Sequence, residues 1–405
     1  MTYPVIERLG WRDPEIATIA FPGGAMTLRQ GFGSGLAVRP GDPPGHVWAI
    51  GDRGPNIKVR DMIRYYGLEQ LAPLSDIPGA KIMPSLDVGP ALAELRVVGD
   101  CVELLRIVPL RRADGHAITG LPNPGSDQLL SEPVFDIHGA PITPDTAGLD
   151  TEGLVALASG GFWVGDEFGP SLVEVDENGT LVRRILPAIA GDIAASGSLP
   201  AIAAKRQLNR GFEALAISDD EQTLFLAFQS PLAHPDEAAH RQGRHVRIWR
   251  WDLNTATVVA QYAYPLDLPE TFRRDMARGS FERSDIKVSE LLWLPDNSLL
   301  VLERGSATAK IYRCKLGGAS LDFAHLDIAT RPTLEELSAG VENEIVPALS
   351  KELVFSTDDH PEMSADLEGM ALLSPTQLLL VNDNDFGVEG VETMFWRITL
   401  LRPLA

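Results

Sequence analysis

Four glutamates recur in one short phrase. They are Glu152 in TEGLVAL, Glu213 in FEALAIS, Glu290 in SELLWLP and Glu368 in LEGMALL, and Ser34 holds the corresponding place in GSGLAV. After a turn, each phrase is followed by a second apolar run that ends in polar groups. These are Asp52 and Arg53, Asp166 and Glu167, Gln229, Glu303 and Arg304, and Asn382, Asp383 and Asp385. Carboxylates in such number suit a hard cation, and Ca²⁺ accepts about six to eight oxygen ligands in loose geometry while Mg²⁺ is stricter. Zinc would want His or Cys, and no His falls at these places; His138, His245 and His360 stand isolated. The expected metal ligands are therefore Glu152, Glu213, Glu290, Glu368 and Asp383, with Ca²⁺ the first choice and Mg²⁺ the second. A carboxylate left over, Asp166 or Glu167, could act as general base. Arg53 and Arg304 each follow an acid and precede Gly, and a guanidinium fork fits a phosphate or carboxylate. The same residues also suit plain structural roles. A glutamate at a strand start can accept backbone N–H bonds, an arginine can form an internal salt bridge, and Asn382–Asp385 can be a turn of residues that tolerate left-handed backbone.

The chemistry requires elements that bring these groups together. The runs are short, β-branched and aromatic-rich, and are bounded by Gly, Pro, Asn and Asp, which is the signature of strands in hairpins. A third run follows in at least three copies, HVRIWRWDLN, AKIYRCKLGG and TMFWRITLLR. The glutamates are spaced by 61, 77 and 78 residues, and Ser34 precedes Glu152 by 118, about two further steps. One degenerate copy is therefore expected between residues 60 and 150, for six in all, with five as the alternative. A repeat of three or four antiparallel strands made this many times predicts an all-β, single-domain β-propeller over residues 1–405. The last copy lacks a fourth strand, and Val5–Trp11 is expected to supply it and hold the ring shut. Short helices are predicted at Val59–Leu71 and, from the capping-box spelling Thr333-Leu-Glu-Glu336, within Thr333–Lys351; residues 186–208 read as a loop with a helical turn. In a propeller the first strand of each blade lines the central channel, so all five polar clusters should meet at one rim.

Composition bounds the partners. Against 35 Lys and Arg stand 56 Asp and Glu, a net charge of −21. Such a surface repels phosphate backbones and anionic lipid, which argues against nucleic-acid or membrane-surface binding. Cys101 and Cys314 are too few for a disulfide scaffold and lack metal-site spacing. The opening residues carry no basic and apolar leader, and no apolar run is long enough to span a bilayer. A cytoplasmic protein is expected, or a periplasmic or secreted one if an export signal lies outside this sequence. No G-x-S-x-G, P-loop or dinucleotide fingerprint is present, and the tryptophans sit inside strand phrases, where they read as packing between sheets.

The stretch DTEGLVALASGGFWVGDEFGPSLVEVDENGTLVRRILP, with ADGHAITGLPNPG, NRGFEALAIS and LEGMALL, resembles the phytase-like family named for the "esterase-like activity of phytase". The resemblance covers roughly residues 30–400 and is most specific over 150–187. It implies a β-propeller and a hydrolase of ester or phosphoester bonds, with calcium dependence, and it places Glu152, Asp166, Glu167, Glu213, Glu290 and Glu368 at the site. The expected activity is metal-dependent hydrolysis of a small anionic ester or phosphoester. Lactone cleavage is a second reading, and a non-catalytic propeller that holds a structural ion is a third.

Overall fold

The computed structural model describes residues 4–126, 129–188, 197–317, 320–339 and 346–404. The apolar runs become antiparallel strands that assemble into five four-stranded sheets in a propeller-like, all-β arrangement. The first sheet comprises Gly35–Ala37, His46–Ile50, Ala91–Val98 and Cys101–Pro109. The second comprises Thr151–Ala156, Phe162–Asp166, Ser171–Val175 and Leu181–Ile185. The third runs through Phe212–Ile217, Thr223–Phe228, His245–Asp252 and Thr257–Pro265, and the fourth through Lys287–Leu294, Ser298–Arg304, Ala309–Lys315 and Lys351–Ser356. The fifth contains Leu367–Ser374, Gln377–Asn382 and Phe395–Thr399, and Val5–Leu9 pairs along Phe395–Thr399 as its outer strand. Each first strand neighbours the first strands of the sheets before and after it, and the fifth neighbours the first.

Burial follows this order. Thr151–Ala156 and Phe162–Asp166 are buried on both faces, whereas the outermost strand Leu181–Ile185 is largely open to solvent until Ile185. Side chains from adjacent sheets interlock between them. Trp163, Phe212, Phe228, Trp249 and Trp251 form one such layer, and Leu300, Met370, Leu380 and Trp396 form another. Trp293 stacks on Phe225 at 5.1 Å between ring centres. The tryptophans thus pack the sheets together, because large rings contribute the most apolar area at such seams.

Five sheets stand where the spacing predicts six copies. The stretch between residues 60 and 150 holds no further four-stranded sheet among the described residues. It supplies the two outer strands of the first sheet and an insertion. The insertion contains the helix Val59–Tyr66, closed by Gly67 at φ 70°, and a small sheet of Ile57–Lys58, Lys81–Ile82 and Val134–Phe135. It packs through Ile57, Met62, Leu71 and Ile82 against Met26 and Leu28 of the hairpin Glu15–Phe21/Gly24–Arg29. Among the described residues the predicted helix near Thr333 covers Leu334–Ala339, and Thr333 and Glu336 make the reciprocal capping bonds. Lys351 starts a strand instead. Within 186–208 a helical turn covers Ala201–Lys205, and residues 189–196 lie outside the described residues. Cys101 and Cys314 are both free.

Candidate functional site

A β-bulge marks the start of the first strand in four sheets. The register shifts between Thr151 and Leu154, between Phe212 and Ala214, between Val288 and Glu290, and between Leu367 and Gly369. A bulge places one unpaired residue opposite the ladder and re-aims its side chain. The unpaired residues are Glu213, Ser289 and Glu368, and Glu152 holds the equivalent place in the second sheet. The fourth copy is therefore out of step with the sequence phrase by one residue. Its rim position belongs to Ser289, and Glu290 occupies the place held elsewhere by Gly35, Gly153, Ala214 and Gly369.

That slip decides the fate of Glu290. Its neighbours at that level are kept small by crowding. A Cβ on Gly153 would come within 2.6 Å of the Leu215 nitrogen, and one on Gly369 within 2.8 Å of Val381. Glu290 enters the space that small residues leave and bridges three sheets. Its carboxyl accepts the N–H groups of Leu36 at 3.1 Å and Leu291 at 3.2 Å, with Met370 N–H also bonded to it. Burial raises its pKa well above the ordinary carboxylate range. Among the expected ligands, Glu290 is thus a brace between sheets.

The remaining rim acids do gather. Ligand oxygens of Asp150, Glu152 and Glu167, all buried, lie within 4.8 Å of one another. Two unit charges at that distance repel by about 3 kcal/mol at an effective dielectric near 20. Burial first, and the neighbouring acids second, push Glu152 well above the ordinary range. Burial raises Glu167 to about 8, with Glu213 adding to the effect. Asp150 rises to about 7 from burial, against the pull of Arg53. Glu213 is also raised by burial, against the pull of Lys287 and Arg304. Its Oε2 lacks a hydrogen-bond partner, as do Gln229 Oε1 and Ser34 Oγ, all on buried residues. Buried oxygens without donors, set beside a knot of carboxylates, are the donor set a hard cation takes. On the fifth sheet, Asp383 rises to about 7 from burial and from Asp385 beside it. Asp52 is raised by burial and then by Asp383 and Asp150, so it links the first, second and fifth sheets.

Asp166 is occupied differently. Its two oxygens accept from the N–H groups of Asp150, Phe168 and Gly169, from Ser171 Oγ at 2.6 Å, and from Arg184 at 2.7 Å. This fully buried carboxylate anchors the loop that presents Glu167, and no further proton acceptor direction is left open. Arg206 holds the same loop by donating to the carbonyls of Glu167 and Phe168.

Both expected arginines are engaged by the chain itself. Arg53, buried, pairs with Glu132, with Asp150 Oδ2 at 2.7 Å and with Asn209, and its plane lies over Phe168. Arg304 donates to Ser289 Oγ at 2.8 Å, to Asp366 at 3.1 Å and to Glu368. Glu368 is thus an arginine partner more than a free ligand. Glu303 faces away from the rim, toward Lys351 and Tyr264. In the Asn382–Asp385 run the asparagines tie the loop down, since Asn382 receives Met394 N–H and Asn384 donates to the Gln30 carbonyl. Asp385 and Phe386 both take left-handed backbone, at φ 47° and 52°, a strain that persists only where surroundings enforce it.

Sequence reasoning missed Asp150, Glu132 and Lys287. Asp150 precedes the repeated phrase by one residue, and Glu132 comes from the insertion, so no repeat marks it. Lys287 lies opposite Arg304 in the ladder, and its charge interacts with Arg304, Arg210, Glu213 and Glu167. Burial brings its pKa down to about 8. The three histidines singled out earlier stay off this rim. His138 is exposed, His245 is buried and lowered to about 4 by that burial, and His360 stacks on Phe355.

A family model described as "Phytase-like: Esterase-like activity of phytase" matches residues 27–386. An "Uncharacterized secreted protein" of Arthroderma benhamiae is 27% identical over 346 residues, which cover 75% of this chain and 64% of that relative's length. Among solved structures, the calcium-binding protein regucalcin of Agrobacterium tumefaciens is 10% identical over 92% of each chain, with a TM-score of 0.36. The WD40 repeats of RRP9 are also 10% identical, over 98% of this chain and 97% of theirs, with a TM-score of 0.35. No helix among the described residues is long and apolar enough to cross a membrane.

Proposed function

The chain belongs to the phytase-like family named for the esterase-like activity of phytase, and from that membership we propose that it is a metal-dependent hydrolase of phosphoester or carboxylic-ester bonds. In this reading the five sheets are the blades of one ring latched by Val5–Leu9, and the reaction takes place at the acidic rim. The observation that carries the proposal is the buried set Asp150, Glu152 and Glu167, with oxygens within 4.8 Å of one another and the orphaned Glu213 Oε2 beside it.

Charge bookkeeping favours the same conclusion. Arg53 is matched by Asp150 and Glu132, and Arg304 by Asp366 and Glu368. Beyond these pairs, Lys287 acts on Glu213 and Glu167, Arg304 on Asp383 and Arg53 on Asp52, while no cation stands among the leading influences on Glu152. So many buried acids require protons or a bound divalent ion. Asp150, Glu152 and Glu167 would hold Ca²⁺, with Mg²⁺ as the alternative, and Glu213 and Gln229 would offer further oxygens. When bound, the ion supplies Lewis-acid polarisation of the ester or phosphoryl oxygen and a more acidic water. Glu213, in hydrogen-bond contact with Glu167, could accept a proton and share it across the pair. The general-base role passes to this pair because Asp166 is saturated by its own donors. Arg53 fixes Asp150, and Phe168 under its plane keeps water from that side. We extend the proposal to a small ester or phosphoester substrate and to a location outside the cytoplasm, in keeping with the relative described as secreted.

The test uses p-nitrophenyl phosphate and p-nitrophenyl acetate with added Ca²⁺ or Mg²⁺. Chelation and Glu167→Gln should each lower kcat/KM by at least about a hundredfold. Turnover of both esters that survives chelation and Glu167→Gln would overturn the reading.

A further inference from the structure

The hydrolase proposed above needs a group to meet the charge of its substrate, and neither expected arginine is available for it. Arg53 is enclosed by Glu132, Asp150 and Asn209, and Arg304 by Ser289, Asp366 and Glu368. An incoming anion would have to displace carboxylates that already hold both forks.

Lys287 stands in a different position. It starts the first strand of the fourth sheet, in register with Arg304. The second residue after it is the bulge residue Ser289, which bonds Arg304 and reaches Glu213 Oε1 at 3.5 Å. Its backbone is pinned through Val288, whose N–H donates to the Gln229 carbonyl at 2.8 Å. Yet its ammonium makes no hydrogen bond and no ion pair among the described residues. Arg210 lies beside it, tethered by one nitrogen to the Ser284 carbonyl at 2.7 Å. Asp150, Glu152 and Glu167 gather at the second sheet, while Lys287 and Arg304 face each other across two paired strands of the fourth, with Arg210 acting on Lys287.

We infer that Lys287, flanked by Arg210, is the specificity-determining residue of this site and receives the oxyanion of a negatively charged substrate. This rests on the hydrolase reading. An ammonium on a flexible stem offers three donors and adapts to either a phosphate or a carboxylate, so the two sources share one chemistry. A neutral ester has nothing to place there. For a pendant carboxylate the selection should appear in KM, because that group does not react, whereas a phosphate monoester presents its reacting oxyanions and the loss falls on kcat as well.

The experiment compares p-nitrophenyl phosphate, p-nitrophenyl hemisuccinate and neutral p-nitrophenyl butyrate. It is run on the wild type, Lys287→Met and Lys287→Arg with Ca²⁺ present, alongside calorimetric titration with inorganic phosphate and with succinate. Lys287→Met should lower the anionic-to-neutral ratio of kcat/KM by roughly ten- to a hundredfold, mainly through KM for the hemisuccinate, and Lys287→Arg should restore most of it. The hemisuccinate and phosphate arms separate carboxylate from phosphate preference. An unchanged ratio in folded Lys287→Met overturns the inference. If the wild type hydrolyses none of the esters, the hydrolase reading fails separately, and the titrations decide Lys287. Binding of phosphate or succinate that weakens about tenfold in Lys287→Met and persists in Lys287→Arg supports it. Absent binding in the wild type, or equal binding in all three proteins, sinks it. Should Lys287→Met not fold, Lys287→Gln takes its place in both arms.

Discussion

Cation binding at this rim should be a proton-release reaction. At pH 7 a group with a pKa of about 7 is half protonated, and Glu167 at about 8 is protonated in roughly nine molecules of ten. Glu152 is raised in the same direction. A metal ligand must be ionised, so filling the site formed by Asp150, Glu152 and Glu167 should expel at least about one proton at pH 7. The apparent affinity for Ca²⁺ should then rise by at least roughly tenfold for each pH unit between about 6 and 7. Isothermal calorimetry in two buffers of different ionisation enthalpy reads the proton number directly. Glu152→Gln should weaken binding by at least about tenfold. Ca²⁺ and Mg²⁺ titrations that give no heat in either buffer, or an affinity independent of pH from 6 to 8, would refute the reasoning.

Stability without added metal should follow the opposite course. The folded carboxyls at about 7 and 8 bind protons more tightly than the unfolded chain, whose acids titrate near 4. Their contribution is present at low pH and is lost as pH rises through about 7 to 8. The melting temperature of chelated protein should therefore fall from pH 5.5 to 8.5, and Ca²⁺ should reverse the trend; a flat profile counts against the buried acids being protonated. Glu290→Gln should cost about 1–3 kcal/mol in denaturant melts, because one acceptor oxygen becomes a donor facing backbone N–H groups, while calorimetric Ca²⁺ binding survives; loss of Ca²⁺ binding in a folded variant would restore Glu290 to the ligand set. Asp166→Asn should destabilise by about 1–3 kcal/mol, because one buried acceptor oxygen becomes a donor among the N–H groups it binds while Arg184 loses a carboxylate partner, and an unchanged melt would deny it the anchoring role. Deleting residues 4–12 strips the outer strand of the fifth sheet, including the buried Leu9 and the Trp11–Phe395 contact. A fall in melting temperature of several degrees is expected, and no fall would mean that this strand does not contribute to stability.

Much of this architecture could be read from the residues. The strand runs, their turns and the fourth strand supplied by Val5–Leu9 follow from patterns that are local in the chain, because alternation, turn residues and a missing partner strand are each visible within a few positions. The capping box at Thr333 formed for the same reason. Dividing the whole Ser34-to-Glu152 interval into repeats gives six copies, whereas the described residues form five four-stranded sheets. In the folded chain an insertion fills much of it, and the insertion brings Glu132 to Arg53 from 79 residues away.

The recurring acids, the type of chemistry they suit and their gathering at one rim were matters of sequence, since one side-chain type repeated at one place in a repeated element must end at one level. Which acids face the rim was decided by the bulges. A single unpaired residue turned Ser289 outward and sent Glu290 between the sheets, and spelling alone does not reveal where the ladder slips. Partnership was likewise tertiary. Arg53 and Arg304 look like substrate ligands in isolation, and only the fold pairs both with carboxylates while giving Lys287 no such ion pair among the described residues, because the charge a buried group meets depends on distant segments brought close.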